Sequence, residues 1–298
     1  MKLEYIIKDE KTINQILKEE FEISNRLFSK LINNNKVFLN EKVVDTRLLG
    51  NIGDKLTIDL DMEEDSLNIV AKKMNLDIVY EDEGMIVLNK PAGIPVHPSM
   101  SHYEDSLANG VKYYFESNGI HKKIRPVNRL DLDTSGLIIF AKNEYIQENL
   151  IRQMKNGIFK KEYLAIIEGT LENKKGIIDS PIARKEKSII ERCVSQDGQK
   201  AITEYEVLNE NKEYSLIKCT LHTGRTHQIR VHMAYIGHPI LGDTLYGTNS
   251  KLINRQALHS YKISFIHPVT KEKMNFECEP EFFKLFSENI DIKIERKT

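Results

Sequence analysis

The sequence contains no tryptophan and only three cysteines, Cys193, Cys219 and Cys278, none of them in a Cys-x-x-Cys pair. An odd number of widely spaced cysteines argues against a disulfide framework and against a cysteine-ligated zinc site. The 15 glycines and 8 prolines are too few for a fibrous or low-complexity chain. No apolar run approaches the roughly 20 residues that a membrane-spanning helix needs, and the first residues carry acids where a signal peptide has its apolar segment. We therefore expect a soluble, cytoplasmic protein.

An excess of positive charge is also missing, because 43 Lys and Arg residues stand against 44 Asp and Glu residues. The distribution is uneven, however, since residues 117–130 and 214–242 contain no acid but several lysines, arginines and histidines. Phosphate binding depends on the local field rather than on the total charge, so this pattern favours a basic cleft on an otherwise neutral surface. A solvated basic face would produce the same pattern, and the charge alone does not identify a partner.

Residues 1–61 are predicted to form a small domain of two helices followed by a strand hairpin. Ile13 and Leu17 recur at helical spacing, and Ser24 can cap a second helix before β-prone segments begin. This order of elements resembles the alpha-L RNA-binding module first recognised in a small-subunit ribosomal protein. The resemblance implies that three basic side chains of this domain contact phosphates, namely Arg26, Lys30 and Lys36.

Residues 62–77 begin with a polar, acidic stretch, and we interpret them as a linker. The remaining chain, residues 78–298, is dense in short β-prone segments with a few helical stretches at irregular intervals. Strands that predominate without regular strand–helix alternation indicate an α+β domain rather than a parallel α/β array. The length of 298 residues fits two domains.

The segment PVNRLDLDTSGLIIF, residues 126–140, is a polar loop with two acids that leads into an apolar strand. The first half of a calcium-binding EF-hand loop has a similar pattern, but Lys142 occupies the position that should be a bidentate Glu. Asp133 and the three residues after it suit a turn whose side chains satisfy backbone groups. Asp131 differs, because a carboxylate between nearby cations and a buried strand can be held ionised and partly desolvated.

The stretch NRLDLDTSG, followed by an apolar strand, resembles the signature of the RluA-type pseudouridine synthases, whose usual form is HRLDxxTSG. This chain carries Asn128 where histidine is commoner in the family. The resemblance implies that Asp131 is the catalytic residue. It also implies a catalytic domain built on a mixed, mainly antiparallel sheet.

The segment KKEYLAIIEG, residues 160–169, alternates as a strand that places Tyr163, Ala165 and Ile167 on one face. Side-chain physics alone predicts that Tyr163 belongs to the core, as most strand tyrosines do. The segment also resembles the family pattern K-x-Y-x-A, and the resemblance implies that Tyr163 is the active-site tyrosine.

The segment LHTGRTHQIRVHM, residues 221–233, contains three histidines and so raises the question of a metal site. Thr226 can cap a helix here, on which His227 and His232 are five residues apart and therefore about 140° apart around the axis. They do not form the i, i+4 pair of a zinc site. The segment resembles the family's L-x-T-G-R-T-H-Q-I-R, and the resemblance implies that Arg230 pairs with the catalytic aspartate. Residues 87–97 and 237–247 resemble two further family stretches, which we interpret as loop-forming.

The implied reaction converts uridine to pseudouridine in structured RNA by breaking the N1–C1′ bond, rotating the base and rejoining it through C5. This isomerisation requires no metal, redox cofactor or ATP, so no cofactor is expected. The carboxylate acts at the sugar, either by attack at C1′ or by removal of a proton at C2′. The target base must be flipped out of the RNA, and Arg129, Arg225 and His227 are hypothesised to line the basic cleft that receives it.

Two other functional classes compete with the enzyme. A non-catalytic RNA-binding or ribosome-assembly protein would be expected to lack the carboxylate, the tyrosine or the arginine of the motifs, and a nuclease usually needs clustered metal-binding carboxylates. The combination of domains resembles synthases that act on large-subunit ribosomal RNA, with transfer RNA as the second substrate class. We expect a monomer with no membrane partner.

Overall fold

The computed structural model describes residues 1–283; residues 284–298, the end of the predicted catalytic domain, lie outside the described residues. The N-terminal elements are β1 (Lys2–Ile6), α1 (Ile13–Glu19), α2 (Asn25–Asn33), β2 (Val37–Leu39), β3 (Lys42–Val43) and β4 (Lys55–Asp59). Their strands form an antiparallel sheet in the order β1-β4-β2-β3, in which β1 pairs with β4. The side chain of Ser24 caps α2 by accepting a hydrogen bond from the Leu27 amide at 3.2 Å.

The second part of the chain contains most of the strands and the helices that cover them. Its strands are β5 (Ile78–Glu81), β6 (Met85–Lys90), β7 (Arg125–Pro126), β8 (Ser135–Ala141), β9 (Lys160–Glu168), β10 (Lys175–Asp179), β11 (Ile182–Arg184), β12 (Arg192–Val194), β13 (Ile202–Glu210), β14 (Tyr214–Leu221), β15 (Leu258–Ile266) and β16 (Lys273–Glu277). Its helices are α3 (Leu107–Ser117), α4 (Glu144–Lys155) and α5 (Gln228–Tyr235).

Within residues 1–283, ten of these strands form one continuous sheet with the main order β10-β13-β14-β9-β15-β8-β6-β5. The pairs are antiparallel except β15 with β8, and β11 and β12 form a separate hairpin. The expected fold class, α+β with a mixed, mainly antiparallel sheet, is confirmed.

Both faces of the central strands β6 and β8 are buried, and the alternation of side chains along them separates two cores. On β6, Ile86 and Leu88 pack with α3 on one face, whereas Met85 and Val87 face the opposite core. That second core also contains the apolar residues of α1 and α2, so the N-terminal sheet and helices pack directly against the large sheet. One hydrophobic core therefore spans both parts of the chain.

Ion pairs reinforce this contact at what we call the domain junction, formed by Arg26, Lys30, Glu64, Arg125 and Glu144. Arg26 Nε lies 3.1 Å from Glu144 Oε1, and Arg125 Nη2 lies 2.8 Å from Glu64 Oε2. Lys30 pairs with Glu64 and also lies 3.6 Å from Glu144. Glu64 belongs to the predicted linker, so this segment joins the two parts through charge as well as through the chain.

Candidate active site

The loop between β7 and β8, strand β9 and the loop before α5 enclose a cavity of about 1060 Å³, which we call the cleft. Within residues 1–283, its lining contains a single carboxylate, that of Asp131. The charged side chains that share the lining with it are cations: Arg129, Lys155, Lys161, Arg192, Arg225 and Arg230. The charge segregation seen in the sequence thus corresponds to one strongly positive cavity around one acid.

Asp131 and Arg230, 99 residues apart in the sequence, lie side by side on the wall of the cleft. Nη1 of Arg230 donates a hydrogen bond to Oδ2 of Asp131 at 3.3 Å. The carboxylate is 24% exposed and the guanidinium 8% exposed, so the acid faces the cleft while its partner lies behind it. This is the pairing that the sequence resemblance implied.

A second carboxylate, Asp243, holds the other side of the Arg230 guanidinium. Nε and Nη2 of Arg230 donate to the two oxygens of Asp243 at 2.7 and 2.8 Å, and Asp243 is completely buried. The backbone amides of Leu245 and Tyr246 also donate to Asp243. Burial acts to lower the pKa of Arg230, but its bonds to Asp243 and Asp131 outweigh that effect and raise the pKa. The bidentate contact orients Arg230 so that Nη1 is left for Asp131.

Tyr163 borders the cleft from β9 and at the same time belongs to the core, together with Ala165 and Ile167. Its side chain is only 5% exposed. Burial, with the nearby charge of Asp131, raises the pKa of Tyr163 well above its usual value. The hydroxyl is therefore protonated at neutral pH. The position of Tyr163 fits both expectations, since the side chain packs in the core and also borders the cleft.

His227 occupies the N-cap of α5 with a left-handed backbone, φ 58°, and no capping bond from its side chain. The expectation that Thr226 caps this helix is therefore wrong, because the helix begins after His227. His227 Nε2 lies 4.0 Å from Asp131 Oδ2, and Nδ1 lies 2.8 Å from the hydroxyl of Tyr246. Burial lowers the pKa of His227, although Asp131 acts in the opposite direction. The strained backbone places this imidazole beside the carboxylate of Asp131.

The buried side chain of Lys90 fixes the backbone next to Asp131. The ammonium of Lys90 is fully buried and donates to the carbonyls of Pro91, Ile94 and Leu132 at 2.7–2.9 Å, and burial lowers its pKa to about 7. Leu132 is the next residue after Asp131, so Lys90 ties the two loops together.

The side chain of Asn128, the residue that departs from the family signature, is bound to the backbone of β8. Its amide oxygen accepts from the Ile139 N–H at 3.0 Å, and its amide nitrogen donates to the Leu137 carbonyl at 3.3 Å. Asn128 therefore joins the Asp131 loop to β8.

Glycine is required at the end of this loop, where β8 meets β15. Gly136 has φ 110°, and a Cβ added there would lie 2.3 Å from the Ser260 carbonyl oxygen. The parallel pairing of Gly136 with Ser260 needs this close approach of the two backbones.

The remaining predicted RNA contacts fall into two groups. Arg129 and Arg225 are exposed at the cleft, where Arg129 donates to the Thr226 hydroxyl at 3.3 Å and Arg225 donates to Gln199 and the Lys200 carbonyl. The N-terminal cations are bound to acids of the chain: Arg26 and Lys30 at the domain junction, and Lys36 to Asp59 at 2.8 Å.

Sequence reasoning did not assign roles to Asp243, Tyr246 and Lys161. Asp243 and Tyr246 stand in the 237–247 stretch that we interpreted as loop-forming, so the signal was present in the resemblance. Lys161 is part of the K-x-Y-x-A pattern, but a role was assigned only to Tyr163.

Over the described chain, no group of three or more His, Cys, Asp and Glu side chains gathers as metal ligands would. Every helix between residues 1 and 283 is too short or too polar to cross a bilayer.

The Asp131–Arg230 pair stands in a cleft whose cations suit a polyanionic ligand. Comparisons with known proteins identify the family. A profile of the RNA pseudouridylate synthase family matches residues 84–235. An uncharacterised RNA pseudouridine synthase of Bacillus subtilis (strain 168), YjbO, is 41% identical over 260 residues, 87% of this chain and 92% of that protein.

Two further relatives agree with this match. Ribosomal large subunit pseudouridine synthase D of Zymomonas mobilis is 37% identical over 241 residues, covering 76% of this chain and 75% of that protein. The solved structure of human RNA pseudouridylate synthase domain containing 1 is 26% identical, with a TM-score of 0.59 over 73% of this chain and 88% of that one. The chain belongs to the RNA pseudouridylate synthase family, the isomerases that convert uridine to pseudouridine in RNA.

Proposed function

We propose that this protein isomerises specific uridines of large-subunit ribosomal RNA, with Asp131 as its catalytic carboxylate. The observation that supports the catalytic assignment is the 3.3 Å contact between Asp131 and Arg230 in a cleft whose other charged side chains, within residues 1–283, are cations. The substrate class is carried over from relatives named as ribosomal large subunit pseudouridine synthase D, which are 36–37% identical to this chain.

The chemistry follows from where the carboxylate stands. Breaking the N1–C1′ bond makes the sugar electron-poor, and Asp131 supplies negative charge or a base at that point, by attack at C1′ or by proton removal at C2′. Arg230 keeps Asp131 oriented towards the cleft. Because Arg230 is itself held by Asp243, the carboxylate is positioned before the substrate arrives.

Tyr163 is placed to contact the flipped base, and the cleft cations are placed to contact the RNA backbone. The ring of Tyr163 borders the space beside Asp131, where it can contact the flipped uracil, and its protonated hydroxyl can donate a hydrogen bond. Arg129, Arg225 and His227 line the same cavity and can hold the phosphates or the space that the flipped base leaves.

We also infer that residues 1–61 form an RNA-binding domain, with residues 62–77 linking it to a catalytic domain at 78–298. A monomer suffices, because Asp131, Tyr163, Arg230 and Asp243 all come from one chain. A ribosomal RNA substrate places the enzyme in the cytoplasm.

The decisive experiment measures tritium release from large-subunit ribosomal RNA transcribed with uridine labelled at C5. The wild-type protein should release tritium, whereas Asp131→Asn should bind the same RNA and release none, a loss on the order of 10⁴-fold or more. Substantial turnover by Asp131→Asn would remove the carboxylate from the mechanism. Binding without release by the wild type would identify a non-catalytic RNA-binding protein, and cleaved RNA would identify a nuclease. Mapping pseudouridines in RNA from a strain that lacks the gene then locates the target.

A further inference from the structure

We propose that Lys161 binds a backbone phosphate of the RNA inside the cleft. The inference rests on the proposed function for the identity of the ligand as RNA, and on the geometry of the described residues for the site itself. Lys161 is the lysine of the family pattern K-x-Y-x-A, but the resemblance assigns a role only to the tyrosine of that pattern.

The position of Lys161 on β9 directs its side chain into the cleft. Lys161 precedes Tyr163 by two residues, so the two side chains lie on the same face of the strand, about 7 Å apart along it. Both line the cavity. The ammonium reaches across to the loop before α5, since a Cβ added to Gly224 would lie 3.3 Å from Lys161 Nζ. The cation therefore stands between two walls of the cleft.

No described residue accepts a hydrogen bond from Lys161 Nζ, and no described carboxylate forms an ion pair with it. Two lysines that are more deeply buried have partners. Lys142 donates to Glu81 and to the Asp82 carbonyl at 2.6 Å, and Lys90 donates to three carbonyls. Lys161 is partly buried in the wall of the cleft, and its ammonium lacks a partner there among the described residues, so it is available to an anionic ligand. The exception at Lys161 thus points to a ligand.

The required ligand is an anion. Burial lowers the pKa of Lys161, and no nearby acid offsets this effect. An anion that approached the amine would favour the charged form and form a charge-assisted hydrogen bond, whereas a base carbonyl would offer only a neutral acceptor. Among the described residues, Asp131 is the carboxylate that lines the cleft, and it is already held by Arg230. In RNA the anionic groups are the phosphates, so a phosphate matches the unpaired ammonium.

The test compares Lys161→Met with Lys160→Met, which removes a neighbouring lysine that is exposed and lies outside the cleft lining. Dissociation constants for transcribed large-subunit ribosomal RNA are measured from low to high KCl. Loss of one phosphate contact should make the slope of log Kd against log salt shallower by about 0.7 to 0.9. We expect this change in Lys161→Met, and no change in Lys160→Met or in Lys161→Arg, which retains the cation.

An unchanged slope in Lys161→Met would overturn the proposal, even if the affinity fell, because a contact to a base carbonyl would not release a counterion. Equal changes in both methionine variants would overturn it as well, since the effect would then be general. If Lys161→Met does not fold in a thermal melt, Lys161→Gln replaces it in the same comparison. Tritium release by the wild type is measured separately, so failure of the proposed function and failure of the Lys161 assignment give different results.

Discussion

The cleft and the domain junction are both rich in charge, but the junction pairs its cations with acids of the chain and the cleft largely does not. At the junction, Arg26, Lys30 and Arg125 are bound by Glu64 and Glu144. In the cleft, as far as residues 1–283 are concerned, Arg230 is the one lining cation with a carboxylate partner; the others are Arg129, Lys155, Lys161, Arg192 and Arg225.

This difference separates two uses of positive charge. A cation already bound to a carboxylate has little to gain from a phosphate, because the new contact must first break the old one. An unpaired cation around a cavity raises the local potential and is available to an anionic ligand. The net charge of −1 does not reveal this distinction, because most of the Asp and Glu residues lie outside the cleft.

The strongest test of this comparison concerns Arg230, the cleft cation that is paired with Asp131 and Asp243. Asp243→Asn keeps the size of the side chain but cannot accept from both Nε and Nη2 of Arg230, so Arg230 loses its orientation towards Asp131. We expect kcat to fall about 100-fold with little change in KM or RNA affinity, measured by single-turnover tritium release and RNA titration. The exposed Asp197→Asn serves as control. A loss of RNA binding equal to the loss of kcat would contradict a positioning role for Asp243.

The next largest effect is expected at the junction, where Glu64→Gln removes the charge shared by Lys30 and Arg125. The substitution should lower the free energy of unfolding by about 2 kcal/mol and leave kcat unchanged, measured by chemical denaturation and tritium release. The neighbouring Glu63→Gln, which is exposed, should have no effect. If Glu64→Gln abolished turnover while stability was retained, the junction would be part of the catalytic machinery and the comparison would fail.

The ion pairs of Glu64 with Lys30 and Arg125 also predict that the stability of the protein depends on pH. Burial acts to raise the pKa of Glu64, but Lys30 and Arg125 outweigh burial and lower it below its usual value. Because the folded pKa is depressed, the stabilisation is fully present above about pH 4.5 and is lost as the pH falls below that value. The stability difference between wild type and Glu64→Gln should therefore shrink below pH 4.5 in denaturation curves. A constant difference from pH 7 to pH 3 would show that the ion pair does not contribute.

The smallest effect distinguishes the two groups of predicted RNA contacts. Arg129→Met should make the slope of log Kd against log salt shallower by about 0.7 to 0.9, because it removes an unpaired cleft cation. Arg26→Met should leave the slope unchanged, because Glu144 already binds this side chain. A shallower slope in Arg26→Met would show that the N-terminal cations exchange their carboxylates for phosphates, as the alpha-L resemblance implies.

The residues that could be placed from the sequence are those whose role depends on local pattern. A continuous apolar run predicted β8, alternation predicted β9, and the family motifs drew attention to Asp131, Tyr163 and Arg230. By contrast, β1 was not predicted, since a short strand at the start of the chain is recognisable only through its pairing with β4. The cap of α5 was misplaced for a similar reason, because the left-handed conformation of His227 depends on the surrounding loop.

The sequence by itself predicted the fold class and the family and singled out Asp131, because each of these depends on residue types at short, ordered spacings. Only the tertiary structure decided which cations are free and which are bound, and that Asp243 stands behind Arg230. Such pairings join residues that are far apart in the chain, such as Arg26 with Glu144 and Arg230 with Asp131. Whether a charged side chain is paired or free depends on residues that folding brings next to it. Composition and local periodicity do not identify those residues.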